Sequence, residues 1–191
     1  MKHSPLHVIV PALLVLCSAP ALADDAALLE EARAVASSIP PKLVAVLQDE
    51  IAKSGPEGAI GVCRDKAPQM AKAASEKSGW NIRRVSLKNR NPKAVPDAWE
   101  RTTLEDFDRR AAAGEAPATI EKGETVVDGG VKSYRYMKAL PTQTLCLACH
   151  GSDTDISPAV KVKLQALYPD DKATGYAVGQ IRGAMTIRRP L

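Results

Sequence analysis

The chain has 191 residues, 45% of them hydrophobic and only 4% aromatic, with 26 Lys and Arg against 22 Asp and Glu for a formal net charge of +4. A cationic excess this small, spread along the chain, excludes a nucleic-acid partner and predicts a solvated surface of mixed sign. The length suits one domain with its own core.

Lys2 and His3 precede an apolar run, "VIVPALLVLCSAPALA" from Val8, that ends in small residues at Ala21 and Ala23. This is the pattern of a secretory signal peptide, residues 1–23, cleaved after Ala23 to leave a single domain over 24–191. The apolar core is too short for a bilayer-spanning anchor, and no basic stop-transfer flank follows. Leu16 stands where a lipoprotein signal ending at Cys17 needs a small residue. No second hydrophobic span appears, so the expectation is an exported, soluble, periplasmic protein without a membrane span. Cleavage removes His3, His7 and Cys17, which leaves His150 as the only histidine and Cys63, Cys146 and Cys149 as the only cysteines. That is an odd number of thiols for an oxidising compartment.

From Asp25, "AALLEEARAVASSI" puts Leu28, Leu29, Ala32, Val35 and Ala36 on one helical face, and Pro40-Pro41 predicts its stop. "KLVAVLQDEIAKSG" predicts a second helix with Leu43, Val46, Leu47 and Ile51 inward and Gly55 as its cap. A third helical segment follows, "PEGAIGVCRDKAPQMAKAASEKSG", kinked or restarted at Pro68 and closed by Gly79. "WNIRRVSLKNRNP" is short and β-branched and reads as a strand entering a turn. "DAWERTTLEDFDRRAAAG" returns to helix. In "GETVVDGGVKSYRYMKAL" two strand-like runs flank Asp128-Gly129-Gly130, a hairpin signature. Ser157-Pro158 opens a short helix with Val160, Leu164 and Leu167 inward. "YAVGQIRGAMTI" predicts a last strand with Val178, Ile181 and Ala184 inward. Helices first, then an antiparallel sheet with an inserted helix, is an α+β arrangement.

Residues 145–151, "LCLACHG", carry the chemistry. Two thiols two residues apart can add across the two vinyl groups of haem while the next residue, a histidine, brings its imidazole under the iron. A thioredoxin-like dithiol wants its C-x-x-C at a helix start in a βαβ context, which is missing here. Structural zinc could draw on Cys63, Cys146, Cys149 and His150, but adjacent Cys149 and His150 converge awkwardly on one small ion. A plain Cys146–Cys149 disulfide is the remaining alternative. The motif, the export signal and the failed contexts favour one covalent haem c. Scarce aromatics leave core volume that a flat apolar macrocycle could fill.

The second axial position is open on residue inventory. Histidine is excluded within one mature chain, which leaves Cys63, Met70, Met137, Met185, a lysine or an unfilled site. Cys63 is the odd thiol. It is either a small buried hydrophobe or an iron ligand, since an unpaired thiol in an exported protein is an oxidation liability unless shielded or bound.

Five stretches, "AIGVCRDKAP" at 59–68, "RRVSLKNRNP" at 83–92, "PDAWE" at 96–100, "CLACHG" at 146–151 and "YPDDKATGYAVGQIRGA" at 168–184, resemble the c-type haem family of PAS-like periplasmic sensor domains. They span nearly the whole mature chain in the right order. The resemblance implies a PAS-like antiparallel sheet flanked by helices, with one haem ligated by His150 and by a cysteine of the N-terminal helical segment, which maps onto Cys63. Met70, seven residues on, shares the helical face of Cys63 unless Pro68 breaks the register, and is the natural alternative ligand in a redox-driven switch. Arg83, Arg84 and Arg90 could pair with haem propionates; solvated strand-edge charges are the competing reading for each, and Arg90 is the one singled out for test.

A thiolate favours ferric iron, so a Cys63/His150 haem is expected at low potential, and two protein ligands leave no site for substrate. The chain is therefore expected to act as a redox or gas sensor, not as an enzyme. Similar domains are often fused to signalling outputs; here the output is expected to be a redox or signalling protein in trans. The alternatives are a periplasmic electron carrier and a ligand-binding domain in which haem is only a staple.

Overall fold

The computed structural model describes the backbone of residues 20–191, with side chains from Asp25 onward. Residues 1–19, which hold most of the expected signal peptide together with His3, His7 and Cys17, lie outside the described residues. The first element is a long helix, α1 (Pro20–Gly61), followed by a π-helical turn at Val62–Lys66 and by α2 (Ala67–Ser78).

The predicted stop at Pro40-Pro41 does not occur, because helical backbone runs through both prolines. Proline's fixed φ is itself helical, so each costs a ladder hydrogen bond without forcing the chain out. The exit comes at Gly55 (φ 70°, ψ 175°), a conformation for which glycine is suited, and Pro56 starts the next turn. Nor is Val46 inward as predicted: it is exposed, and Leu43, Leu47 and Ile51 are only half-buried. The chain does not restart at Pro68: Lys66 and Ala67 keep helical backbone, and the π-helical turn runs straight into α2 with Pro68 in its first turn, its missing N–H absorbed where the ladder changes spacing.

Four antiparallel strands, β1 (Asn81–Val85), β2 (Glu121–Asp128), β3 (Val131–Pro141) and β4 (Ile181–Pro190), form one sheet in the order β1-β4-β3-β2. The β2–β3 hairpin turns at Asp128-Gly129-Gly130 as predicted, with both glycines at positive φ. Helices α3 (Ala98–Ala112), α4 (Leu147–His150) and α5 (Pro158–Leu167) complete the α+β fold. Among the described residues no helix is long and apolar enough to cross a membrane.

Strand alternation sorts the core into two layers. One face of the sheet presents Ile82, Tyr134, Tyr136, Met185 and Ile187 to Leu28, Ala32, Ala36 and Ile39 of α1. The other presents Val85, Met137, Ala139 and Ala184 to Leu104 and Phe107 of α3. Two carboxylates clamp α1 to the first face. Glu31 accepts from Trp80 Nε1 at 2.9 Å and twice from Arg189 Nη1 at 2.8 Å. Glu121 accepts from Arg33 Nε at 2.6 Å and from the Tyr136 hydroxyl at 2.7 Å.

Strand β4 begins at Ile181, so Val178 is not an inward strand residue; it lies in the preceding turn and is exposed. Ile181 and Ala184 nevertheless both face α3, although they are three residues apart. The pairing explains this: Ala139 faces Ala184 and Pro141 faces Ile181, so β4 carries one extra residue, a bulge at Arg182-Gly183. Gly183 takes φ 145°, and a Cβ there would lie 2.3 Å from the Val85 carbonyl oxygen.

Candidate functional site

Cys146 closes a single 3-10 turn (Thr144–Cys146), and Cys149 and His150 sit in the one-turn helix α4 that continues it. A turn this short has little stability of its own. It is held from outside by the loop that leads into β4. The Gly175 N–H donates to the Gly151 carbonyl at 2.7 Å and the Tyr176 N–H to the His150 carbonyl at 2.9 Å. Arg90 donates from Nη2 to the Cys149 carbonyl at 2.6 Å and from Nε to Asp171 at 2.8 Å, and Asp171 in turn accepts from the Ala173 N–H at 2.8 Å.

The same loop orients the imidazole. His150 Nδ1–H donates to the Ala173 carbonyl at 2.7 Å, which leaves Nε2 as the nitrogen with a free lone pair. Burial, and then the guanidiniums of Arg90, Arg182 and Arg84, hold His150 well below its ordinary range, so the ring is neutral. A neutral imidazole fixed through Nδ1 to a carbonyl is the form that ligates metals. Burial raises the Cys149 thiol against the opposing pull of Arg90. Cys146 and Cys149 are not joined in a disulfide.

Cys63 lies in the π-helical turn Val62–Lys66 and is exposed, so it is not a core hydrophobe. Such turns are common where a helix carries a functional side chain. Ile60, three residues earlier, packs with Ile156, Val160 and Leu164, and Cys149 rests against the same cluster. Cys63 is close enough to Cys149, Arg84 and Tyr168 to bear on the ionisation of each. The structure thus brings Cys63 and the C-x-x-C-H turn to one region. Met70 is half-buried in α2. The extra residue of the π-helical turn rotates it by about 100° from the face that an unbroken α-helix would share with Cys63.

Comparison with known proteins decides the family. The sequence profile described as Tll0287-like matches residues 19–190. The chain belongs to the Tll0287-like family. A solved structure, the crystal structure of the cyanobacterial heme-protein Tll0287, is 30% identical, covers 68% of this chain and 71% of its own, and superposes with a TM-score of 0.54. No curated protein matches.

In this Tll0287-like chain the arginines near the motif fall into two sets. Arg83 pairs with the buried Glu100, which also accepts from Thr186 Oγ1 at 2.9 Å; that arginine is part of the α3 face. Arg90 spends its guanidinium on Asp171 and on the Cys149 and Ala173 carbonyls, beneath the motif. Arg84 and Arg182 have no carboxylate partner among the described residues. Sequence reading missed Arg182, Asp171 and Ala173. The glycine after Arg182 was the available signal for a bulge, whereas Ala173 acts only through its backbone and leaves no trace in side-chain chemistry.

The donor set suits a flat metallocofactor better than a compact ion. Among the described residues no three His, Cys, Asp or Glu side chains converge as a metal cage, so Cys63 does not complete a zinc site with the motif. Two thiols and a neutral nitrogen on one turn, a third thiol on a facing helix and the buried, unpartnered Nε of Arg182 fit a larger group with its own charge.

Proposed function

We propose that this chain is an exported monohaem protein of PAS-like fold, a periplasmic redox or gas sensor and not an enzyme. Cys146 and Cys149 would hold a single haem c covalently, and His150 and Cys63 would ligate its iron. The observation that carries this reading is the imidazole of His150, neutral and presenting Nε2, in the same region as an exposed thiol on a π-helical turn. The likeness to a cyanobacterial heme-protein supports the choice of cofactor. A four-stranded antiparallel sheet behind N-terminal helices supports the PAS-like reading.

Cys146 and Cys149 would hold the haem through thioether bonds, and the bound haem would supply a one-electron couple. His150 is held by Ala173 in the tautomer that keeps its ligating nitrogen bare. Cys63, as thiolate, favours the oxidised form. His150 and Cys63 together would leave a substrate no place on the iron, which supports the non-enzymatic reading.

Cys63 also supports sensing over shuttling, because its turn joins a kinked helix to α2 and both pack on the sheet. Holding or releasing the thiolate changes what those helices are tied to, while Met70, turned off the Cys63 face by the π-helical turn, is not placed to take its position. A redox or signalling protein in trans reads the change. The test is hydrogen exchange over residues 56–78, with alkylation of Cys63, in the oxidised and dithionite-reduced holoprotein. Faster exchange and alkylation on reduction support the switch. Identical behaviour in both states contradicts it and favours the electron carrier. Displacement of Cys63 by carbon monoxide or nitric oxide assigns the gas-sensing arm.

A further inference from the structure

Arg84 and Arg182 lie on adjacent strands of the sheet. In β1, Arg84 alternates with Val85 and so shares the face of Ile82, towards α1 and α2. In β4, the bulge at Arg182-Gly183 sets Arg182 opposite in face to Ile181, which points at α3. Without the bulge, strict alternation from Ala184 would turn Arg182 to the α3 side. The bulge therefore delivers a second guanidinium to the face that carries Cys63's helix. Arg84 Nη2 lies 3.4 Å from the Arg182 carbonyl oxygen, which also accepts from Ser86 Oγ at 2.8 Å.

These two cations are under-partnered. Arg33, Arg83, Arg90, Arg110, Arg135 and Arg189 each pair with a carboxylate, and neither Arg84 nor Arg182 does among the described residues. Arg182 Nε is buried with no hydrogen-bond partner. Desolvation, then repulsion from Arg182, lowers Arg84 to about 9, so it remains a cation at neutral pH while carrying the strain of its neighbour. Neighbouring like charges without a counter-ion, one of them desolvated and the other with a buried, unpaired Nε, are unfavourable, and a bound dianion would relieve them. Both guanidiniums lie within electrostatic reach of His150, and Arg84 also of Cys63 and Cys146.

We infer that Arg84 and Arg182 form the anchoring site for the two propionate carboxylates of the haem. This assignment rests on the haem reading above. It replaces Arg90, whose donors are committed beneath the motif, and it gives the β4 bulge a purpose. Positive charge there compensates the propionates and favours the reduced haem, which carries one positive charge less, against the opposite pull of a Cys63 thiolate.

The test is potentiometric titration across pH of the holoprotein and its Arg84→Gln, Arg182→Gln and Arg84→Lys variants, with haem retention checked by peroxidase stain on denaturing gels. Both Gln variants are expected to keep covalent haem, to shift the midpoint potential negative, and to gain a neutral-range pH dependence in which the potential rises as pH falls. The Lys variant should retain most of the parent potential. Potentials and pH profiles equal to the parent's overturn the assignment while leaving the haem reading intact; a parent without covalent haem overturns the haem reading itself. Resonance Raman of the parent gives a reading that needs no variant: propionate bending bands of free, unbonded carboxylates overturn the assignment even if the variants fail to fold.

Discussion

The Nδ1–H of His150 donates to the backbone carbonyl of Ala173 at 2.7 Å, which ties the C-x-x-C-H turn to a loop 23 residues further along the chain. Ala173 is itself fixed, because its N–H donates to Asp171 and Asp171 pairs with Arg90, whose Nη2 returns to the Cys149 carbonyl. A one-turn helix gains its rigidity from this closed circuit.

Breaking the circuit at its charged pair should therefore be expensive. Arg90 and Asp171 are both largely buried, with side chains 13% and 10% exposed. Asp171→Ala leaves the guanidinium uncompensated and is expected to cost about 2–4 kcal/mol. Urea denaturation of parent and variant measures this, and covalent haem yield should fall with it.

The bulge in β4 makes a backbone prediction. Gly183→Ala must place a Cβ against the Val85 carbonyl at φ 145°. A loss of about 2–4 kcal/mol is expected, within the range for a clash combined with a strained φ. Thermal unfolding tests it. Stability equal to the parent's would mean that the strand can slip its register at this point.

The clamp between α1 and the sheet titrates. Burial raises Glu121, but the hydrogen bonds from Arg33 and Tyr136 more than offset it, and its carboxyl lies below the ordinary range. A group lowered on folding contributes stability that is present above its unfolded value and is lost as pH falls through the folded one. Glu121→Gln should thus lose about 1 kcal/mol at pH 7 and less at acid pH, flattening the acid side of the stability profile. Chemical denaturation at several pH values between neutral and acid checks the sign.

Ile60 links the helix that carries Cys63 to the cluster beneath the motif. Ile60→Ala should cost about 2–4 kcal/mol as a buried large-to-small change, and should weaken Cys63 ligation more than haem attachment. Haem retained with an altered ferric spectrum is the expected pattern; loss of attached haem with the axial ligation intact in what remains would contradict it.

Local patterning carried most of the fold. The hairpin at Asp128-Gly129-Gly130, the Ser157 cap of α5 and the C-x-x-C-H turn are written in residues that act over a few positions. The departures arise where tertiary context outweighs local preference. Pro40 and Pro41 stay helical because proline's fixed φ suits the helix that Leu28, Ala32, Ala36 and Ile39, packed on the sheet, have already started. The spacing of Ile181 and Ala184 was right for the wrong reason, since only a bulge lets residues three apart share a strand face. Ligation of one iron by Cys63 and His150 is what the family resemblance implies. Residue spacing alone could not have brought a thiol at position 63 to a turn at 146–150.

The central claim is the Cys63/His150 pair, and electron paramagnetic resonance of the ferric holoprotein beside Cys63→Ala tests it most directly. The parent is expected to give a low-spin thiolate signal, replaced in the variant by high-spin iron or by a low-spin signal of different anisotropy, with haem still attached through Cys146 and Cys149. Identical ferric spectra in parent and variant would contradict it.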